Sequence, residues 1–146
     1  MLIALKIAIA ADHAGFSLKE AVKAAFGDIE WLDLGTYSTE SVNYAEYGHA
    51  IGKAIQDGKA KQGIAICGSG IGISIAANRH KGVRAALCAN TTMARLARQH
   101  NDANVLALGA RVTGEQVALD CVKTFLETAY EGNRHQARVE TIDKQC

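Results

Sequence analysis

Residues 63–78 read GIAICGSGIGISIAAN, and this stretch decides the fold. The apolar run Ile64-Ala65-Ile66 predicts a short buried strand, because strands covered on both faces read as continuous apolar runs. The strand ends at Cys67, and a glycine-rich turn then leads into residues 74–78, which favour a helix. A strand, a tight glycine turn and a helix in this order are typical of a parallel sheet covered by helices.

The turn after Cys67 also indicates a binding site for an anion. Gly68, Gly70 and Gly72 leave backbone N–H groups unshielded, and these amides point the same way as the positive end of the following helix. A helix N-terminus also favours the thiolate form of a nearby cysteine. A thiolate beside an anion cradle suggests enzyme chemistry on a carbon acid or a carbonyl. A packing role for Cys67 is the alternative, because free cysteine is among the most buried residue types.

Three known motifs are excluded by their spacing. The dinucleotide fingerprint GxGxxG needs its third glycine one residue after Gly72, and an acidic residue at the end of the next strand. The P-loop needs a GK[ST] ending, which this turn lacks. A thiol phosphatase needs an arginine six positions after its cysteine, where this chain has Ile73.

Length, charge and cysteine content bound the remaining possibilities. The 146 residues suffice for one domain with its own core, predicted over residues 1–146. A formal net charge of +1 gives no electrostatic argument for nucleic acid or a membrane surface, and no apolar run approaches the ~20 residues that cross a bilayer. No CxxC spacing occurs, so the sequence predicts neither a metal site nor a disulfide framework, and a reducing cytoplasm fits best. The four cysteines are Cys67, Cys88, Cys121 and Cys146.

Strand and helix patterns alternate along the chain. Strands are predicted over residues 5–11, 29–34, 63–67, 83–88 and 104–108. Helices are predicted over residues 17–26, 44–56, 74–78 and 91–100, with a long helix after residue 113 and a last one over 134–142. Ser17-x-x-Glu20 and Thr113-x-x-Gln116 match the capping box at helix starts. The pattern predicts a single-domain three-layer α/β/α sandwich, Rossmann-like, with a five-stranded parallel sheet in flavodoxin-like order.

Polar residues follow the predicted strands at their carboxyl ends, where ligands bind in such sheets. Asp12 and His13 follow the first strand and Arg111 follows the fifth, while His100 and Asn101 close the helix before it. Simpler interpretations remain, since Asp12 suits a helix cap and His100 suits a helix C-terminus. Arg134 and Arg138 are four residues apart and so share one face of the last helix, opposite Val139 and Ile142. Such a pair is either solvated surface or a grip on one phosphate.

Four segments in this order resemble the type B ribose-5-phosphate isomerases, the family that also holds galactose-6-phosphate and allose-6-phosphate isomerases. They read AADHAGFSLK, ICGSGIGISIAANRHKGVRAALC, RQHNDANVLALGARV and YEGNRHQARV, and the resemblance covers nearly the whole chain. It implies a cofactor-free aldose–ketose isomerase that acts on a small phosphorylated sugar, without nucleic acid or membrane partners. It also implies a homodimer with sites shared between subunits, and leaves open a further pairing of dimers. The helix over 134–142 is then expected to reach the partner subunit.

The same resemblance implies roles for individual residues. Cys67 would be the base that moves a proton between C1 and C2, and His100 the acid/base that opens the sugar ring. The Ser69 hydroxyl would shuttle a proton between O1 and O2. The enediolate would be bound by the backbone of Gly68, Ser69, Gly70, Ile71 and Gly72. Sugar hydroxyls would be held by Asp12 and Asn101, and the phosphate by His13, Arg111, Arg134 and Arg138.

Two departures from the family pattern bear on these roles. One branch of the family uses a glutamate just past the glycines, where this chain has Ile73, and this favours Cys67 as the base. Asn43-Tyr44-Ala45 replaces a more usual Asp-Tyr-Pro, which leaves a contact of Tyr44 with the substrate open. The predicted reaction interconverts D-ribose 5-phosphate and D-ribulose 5-phosphate. The alternatives are an isomerase of allose 6-phosphate or galactose 6-phosphate and, from another class, a non-enzymatic nucleotide- or flavin-binding module.

Overall fold

Five parallel strands form the centre of the structure. It is a computed structural model that describes residues 6–144, so residue 5 of the first predicted strand and Cys146 lie outside the described residues. The strands are β1 (Lys6–Ala11), β2 (Glu30–Asp33), β3 (Gln62–Cys67), β4 (Ala85–Leu87) and β5 (Val105–Gly109). The helices are α1 (Phe16–Ala25), α2 (Tyr44–Gln56), α3 (Ile71–Ala77), α4 (Thr91–Asn101), α5 (Glu115–Glu127) and α6 (Arg134–Lys144). Within residues 6–144, none of these helices is long and apolar enough to cross a membrane.

The strand order is β2-β1-β3-β5-β4, and every neighbouring pair is parallel. The predicted flavodoxin-like order would place β4 beside β3, so this part of the prediction is wrong. All five residues of β5 are buried, as an inner strand covered on both faces requires, whereas β4 has three half-buried residues and lies at the edge. Cys67 of β3 pairs with Gly109 of β5, so these two strands end at the same level.

Successive side chains of each strand enter two separate cores, which confirms the three-layer sandwich. On β3, Ile64 and Ile66 pack with α1, α4 and α5 on one face of the sheet. Ala65 and Cys67 point to the opposite face, where α2 and α3 cover the sheet. The second face is lined mainly by alanines on β1, β3 and β5, while Ile51 of α2 and Ile73 of α3 fill the space above them.

The start of α1 differs from the predicted capping box. Helix α1 begins at Phe16 with Gly15 as its N-cap, so Ser17 lies inside the first turn and caps nothing. The Gly15 N–H donates instead to Oδ1 of Asp12 at 3.1 Å. A Cβ at Gly15 would lie 2.6 Å from the carbonyl oxygen of Ile66, so the chain turns into the helix at the one residue type that fits against β3.

The predicted cap at Thr113 is also wrong. Helix α5 begins at Glu115, and its N-cap Gly114 makes no side-chain hydrogen bond. Thr113 is buried in the turn after β5, where its N–H donates to the carbonyl oxygen of Gly109 at 2.9 Å. The turn therefore takes one residue more than the sequence pattern indicates.

A buried lysine fixes the edge strand β2 against α1. Lys19 is 0% exposed, and its Nζ donates to Oδ2 of Asp33 at 2.6 Å and to Oε2 of Glu20 at 2.9 Å. Lys23, one turn further along α1, donates to the same Asp33 oxygen at 2.8 Å. The other Asp33 oxygen accepts the Gly35 N–H at 2.9 Å, so the carboxylate at the end of β2 is held from two sides.

Candidate active site

A cleft of about 630 Å³ opens at the carboxyl ends of the central strands. Its position follows from the sheet, because the loops after parallel strands converge at one edge. The structure thereby brings together the predicted residues that follow β1, β3 and β5. The lining residues are Asp12, His13, Ala14, Tyr44, Cys67, Gly68, Ser69, Ile71, Gly72, Ile75 and Arg111.

Cys67 is the last residue of β3 and only 4% exposed. The N–H of Gly70 donates to its Sγ at 3.1 Å. Hydrogen bonds to an ionised acceptor are stronger than those to a neutral one, so this contact suits a thiolate better than a thiol. Gly70 has φ of +79°, and a Cβ there would lie 2.5 Å from Cδ1 of Leu87. Only glycine lets the loop fold back onto its own cysteine.

Ser69 is exposed at the tip of the loop, and its Oγ accepts the N–H of Ile71 at 3.1 Å. A hydroxyl that accepts one bond keeps its own proton for another partner, so Ser69 can still donate into the cleft. The amides of Gly70 and Ile71 are both engaged inside the loop. An anion in the cleft must therefore use the other amides of the loop or displace these two bonds.

Helix α3 begins at Ile71, inside the glycine loop and three residues before the predicted start. Tyr44, the first residue of α2, lies where a Cβ of residue 72 would stand, so only glycine admits the ring at this point. Tyr44 is 46% exposed and forms a wall of the cleft. Tyr44 therefore lines the cleft, and its contact with a substrate, which the sequence left open, stays untested.

Asp12 and His13 approach the cleft from the end of β1. Asp12 is buried, and the bond from Gly15 shows that it caps the turn before α1 while also lining the cleft. The Nδ1 of His13 accepts the N–H of Val42 at 3.1 Å. Because this bond needs a lone pair on Nδ1, the neutral ring carries its proton on Nε2. His13 is thus fixed as a donor through Nε2.

Arg111 closes the cleft on the β5 side. The backbone N–H of Arg111 donates to the carbonyl oxygen of Gly68 at 2.9 Å. Its side chain runs across Gly68, where a Cβ would lie 3.4 Å from both Cδ and Nη1 of the arginine. Arg111 is exposed, so its guanidinium brings a positive charge to the mouth of the cleft.

The remaining predicted residues, His100, Asn101, Arg134 and Arg138, lie elsewhere. Helix α4 runs back from the end of β4, so His100 and Asn101 at its C-terminus lie near the amino ends of the strands. The Gly63 N–H donates to the carbonyl oxygen of Asn104, which places this region beside the beginning of β3. Cys67 follows four residues later, about 13 Å along the strand. One chain therefore does not bring His100 to Cys67.

Helix α6 places the two arginines near His135, which stacks on His100. Arg134 and Arg138 are exposed on one face, as predicted, and Val139 is buried on the other. Ile142, predicted to share the buried side with Val139, is 46% exposed, so that part of the prediction is wrong. The helix ends where Nη1 of Arg84 donates to both carboxylate oxygens of Asp143, at 3.1 and 3.0 Å. This ion pair, rather than burial of Ile142, connects the end of α6 to the residue before β4.

His135 packs against His100. The two rings are stacked, with centroids 4.3 Å apart and planes 14° from parallel. Burial, and then the charges of Arg134, His100 and Arg138, lower the pKa of His135. Its Nε2 is buried and has no hydrogen-bond partner among residues 6–144.

Sequence reasoning missed Val42, which contacts His13, and Ala14 and Ile75, which line the cleft. Ile75 lines it from the second turn of α3 because that helix begins earlier than predicted. Val42 acts only through its backbone N–H on His13, so its side chain carries no signal of this role. Ile75 is 50% exposed, and this exposure of a large apolar side chain is the feature that distinguishes it on the helix surface.

Comparison with known proteins agrees with this geometry. The profile of the Ribose/Galactose Isomerase family matches residues 7–142. The chain is 47% identical over 139 residues to ribose-5-phosphate isomerase B of Escherichia coli, and this alignment covers 94% of this chain and 93% of that protein.

Two solved structures of ribose-5-phosphate isomerases are also similar. That from Clostridium thermocellum has a TM-score of 0.95 at 46% identity and covers 97% of both chains. That from Thermotoga maritima has a TM-score of 0.93 at 50% identity and covers 97% of this chain and 99% of its own. This chain belongs to the Ribose/Galactose Isomerase family.

Proposed function

We propose that the protein is an aldose–ketose isomerase that interconverts D-ribose 5-phosphate and D-ribulose 5-phosphate. The observation that carries this proposal is the Cys67 sulfur, held by the Gly70 amide at the end of β3 in a cleft that also holds Asp12, His13 and Arg111. These groups offer a base, hydroxyl-binding oxygens and two phosphate donors at one edge of the sheet. The family membership and the similarity to named ribose-5-phosphate isomerases support the same substrate.

The reaction needs one base that serves two carbon atoms. Cys67 as thiolate removes the proton from C2 of the open-chain aldose and returns it to C1, while a proton passes from O2 to O1. The enediolate formed between these steps carries negative charge on oxygen, which is where fixed N–H donors lower the barrier most. Loop amides other than those of Gly70 and Ile71 would supply such donors, and the free proton of Ser69 suits the transfer between the two oxygens.

We propose that His100, Asn101, Arg134 and Arg138 complete this cleft from a second copy of the chain. The support is the separation of the two groups: His100 is not among the described residues that line the cleft, and it lies at the far edge of the sheet. Apolar side chains at the cleft rim are open to solvent, with Ile71 at 52%, Ile75 at 50% and Tyr44 at 46%. A symmetric dimer that seats α6 of one chain near this rim would cover them and form two equal sites.

In this dimer the phosphate would be bound by both subunits. His13 donates through Nε2 and Arg111 through its guanidinium from one chain. Arg134 and Arg138 reach it from the exposed face of α6 of the other. Two guanidinium forks one helical turn apart match the oxygens of one phosphate group.

The cytoplasm is the compartment we propose. Cys67, Cys88 and Cys121 are free and buried, which suits a reducing environment. A base that must remain a thiolate would be lost by oxidation. The thiol chemistry thus supports this location.

An isomerase assay with purified protein tests the function. We expect conversion of D-ribose 5-phosphate to D-ribulose 5-phosphate, with a kcat/KM at least tenfold above that for allose 6-phosphate or galactose 6-phosphate. A higher kcat/KM for either six-carbon sugar would transfer the assignment to that substrate. Absence of turnover on all three, with bound nucleotide or flavin in the purified protein, would favour a binding module instead.

A further inference from the structure

We propose that His100, Glu131 and His135 form an inhibitory binding site for a divalent transition metal ion such as Zn²⁺. One ring nitrogen from each histidine and one carboxylate oxygen of Glu131 all lie within 4.8 Å of one another. Two imidazoles and one carboxylate, with a fourth position left for water, form a ligand set that Zn²⁺ accepts. This inference rests on the proposed function for its consequence, but not for the binding itself.

The backbone holds the three ligands in place. His100 lies in the last turn of α4, and the Glu131 N–H donates to the carbonyl oxygen of Gln99 at 3.1 Å, which ties the two together. Gly132 and Asn133 have positive φ values of 70° and 52°, and they turn the chain so that His135 in α6 returns over His100. The site is therefore built on two helix ends and a fixed turn.

The orphaned nitrogen of His135 is the second observation that points to a ligand. Its Nε2 is buried without a hydrogen-bond partner in the described part of the chain, and the residue is 8% exposed. A buried polar atom left unpaired costs free energy of folding, so a partner is expected. A metal ion bound at this nitrogen would supply one.

Metal binding requires the side chains of the site to move. Zn–N and Zn–O bonds of about 2.0–2.2 Å place tetrahedral ligand atoms roughly 3.4 Å apart. In the structure the three candidate ligand atoms lie up to 4.8 Å from one another. The two rings lie in nearly parallel planes, so one ring must rotate before nitrogens of both can aim at a shared ion. His100 is partly exposed and Glu131 is exposed, so both can move toward the buried His135.

Metal binding would withdraw His100 from catalysis. A nitrogen bound to Zn²⁺ cannot exchange a proton with the sugar ring. The ion and the sugar phosphate would then compete for the same side chain. The expected result is reversible inhibition of the isomerase, relieved by a chelator and by high substrate concentration.

The test is a titration of the untagged full-length protein with Co²⁺, whose visible absorption reports low coordination numbers, followed by displacement with Zn²⁺. We expect one ion per chain. Glu131→Gln, which alters an exposed residue outside the catalytic set, should weaken binding by roughly tenfold or more. Glu127→Gln on the exposed surface of α5 is the matched control and should leave the affinity unchanged. His49→Gln, which breaks the other histidine pair of the described chain, should leave it unchanged as well.

The outcomes separate this proposal from the proposed function, because Co²⁺ binding is measured without substrate. Equal affinity in Glu131→Gln and wild type, or no stoichiometric binding, would overturn the metal site even in an active isomerase. Loss of binding in Cys67→Ala but not in Glu131→Gln would assign the ion to the thiol and also overturn it. If binding behaves as expected but Zn²⁺ leaves isomerase activity unchanged, the inhibitory role is wrong.

Discussion

At the scale of single residues, the environment of Cys67 differs sharply from that of the other buried cysteines. Cys67 receives a backbone N–H and lines a cleft, whereas Cys88 is surrounded by the apolar core that β1, β3 and β5 share with α1, α4 and α5. Burial, followed by the proximity of Cys121, raises the pKa of Cys88 to about 12. Cys88 therefore stays a protonated packing residue at neutral pH. One residue type serves two purposes because the backbone around it differs.

This contrast yields a prediction for the base. Cys67→Ala should lower kcat by roughly 10²–10⁴-fold, the range typical of a lost general base, with little change in KM. Cys88→Ala is the matched control and should keep kcat, since it removes only a packing thiol. The measurement is steady-state kinetics in both directions of the reaction.

Iodoacetamide gives an independent readout of the same assignment. In a Cys146→Ser background, modification should fall on Cys67, should abolish activity, and should be slowed by substrate. Mass spectrometry of the digested protein identifies the labelled residue. Turnover within a factor of a few of wild type in Cys67→Ala would show that another group is the base.

At the scale of elements, the sequence predicts a strand or helix whose bounds depend on neighbouring residues. It fails to predict bounds and strand order that depend on contacts with residues distant in the chain. The apolar run before Cys67 predicts β3 to within one residue, because a buried strand is recognisable from its own apolar residues. The start of α3 is missed because Gly72 reads as part of a loop, and only the ring of Tyr44 explains why a glycine stands inside the helix. The order of β4 and β5 likewise depends on which strand is buried on both faces, and their two sequences are similarly apolar.

The contact between α1 and β2 supports a prediction about stability. Burial raises the pKa of Asp33, but the hydrogen bonds from Lys19, Lys23 and the Gly35 N–H outweigh it, and the net pKa is lowered. Asp33→Asn should therefore destabilise the fold at pH 7 by about 3 kcal/mol, because the buried Lys19 loses its charge partner. Glu20→Gln removes the half-exposed partner of the same lysine and should cost less than about 1 kcal/mol.

The pH dependence of this effect has a definite sign. A carboxyl whose pKa is lowered by folding stabilises the native state above its unfolded pKa, about 3.9, and the stabilisation is lost as pH falls through the folded pKa. The difference between wild type and Asp33→Asn should thus shrink below about pH 4. Urea unfolding at several pH values and one protein concentration measures it. A difference that stays constant from pH 7 to pH 3 would contradict the ion-pair explanation.

At the scale of the whole molecule, the predicted site residues form two groups at opposite edges of one sheet. The sequence suggested this division only weakly, through the placement of Cys67 and His100 in different strand–helix units. In the proposed dimer, the chain that contributes each group depends on packing between subunits, and no pattern in one sequence encodes that packing. The separation of about 13 Å along β3 is the geometric reason for proposing a site shared between subunits.

Mixed dimers test whether the two groups meet across subunits. Cys67→Ala and His100→Ala homodimers should each be nearly inactive, since every site lacks one group. Unfolded together and refolded, they should form about half mixed dimers, each with one intact and one doubly defective site. Activity should then return to about a quarter of wild type.

The decisive control pairs two variants from the same side of the interface. His100→Ala and Arg134→Ala both alter the group carried by α4 and α6, so each site of their mixed dimer keeps one defect. This mixture should recover no activity, although its subunits exchange equally well. Native mass spectrometry confirms that mixed dimers have formed in both experiments. No recovery in the first mixture would mean that Cys67 and His100 do not form a site across two chains. Recovery in the second would mean that His100 and Arg134 come from different chains, because the pattern follows only from which subunit supplies each group.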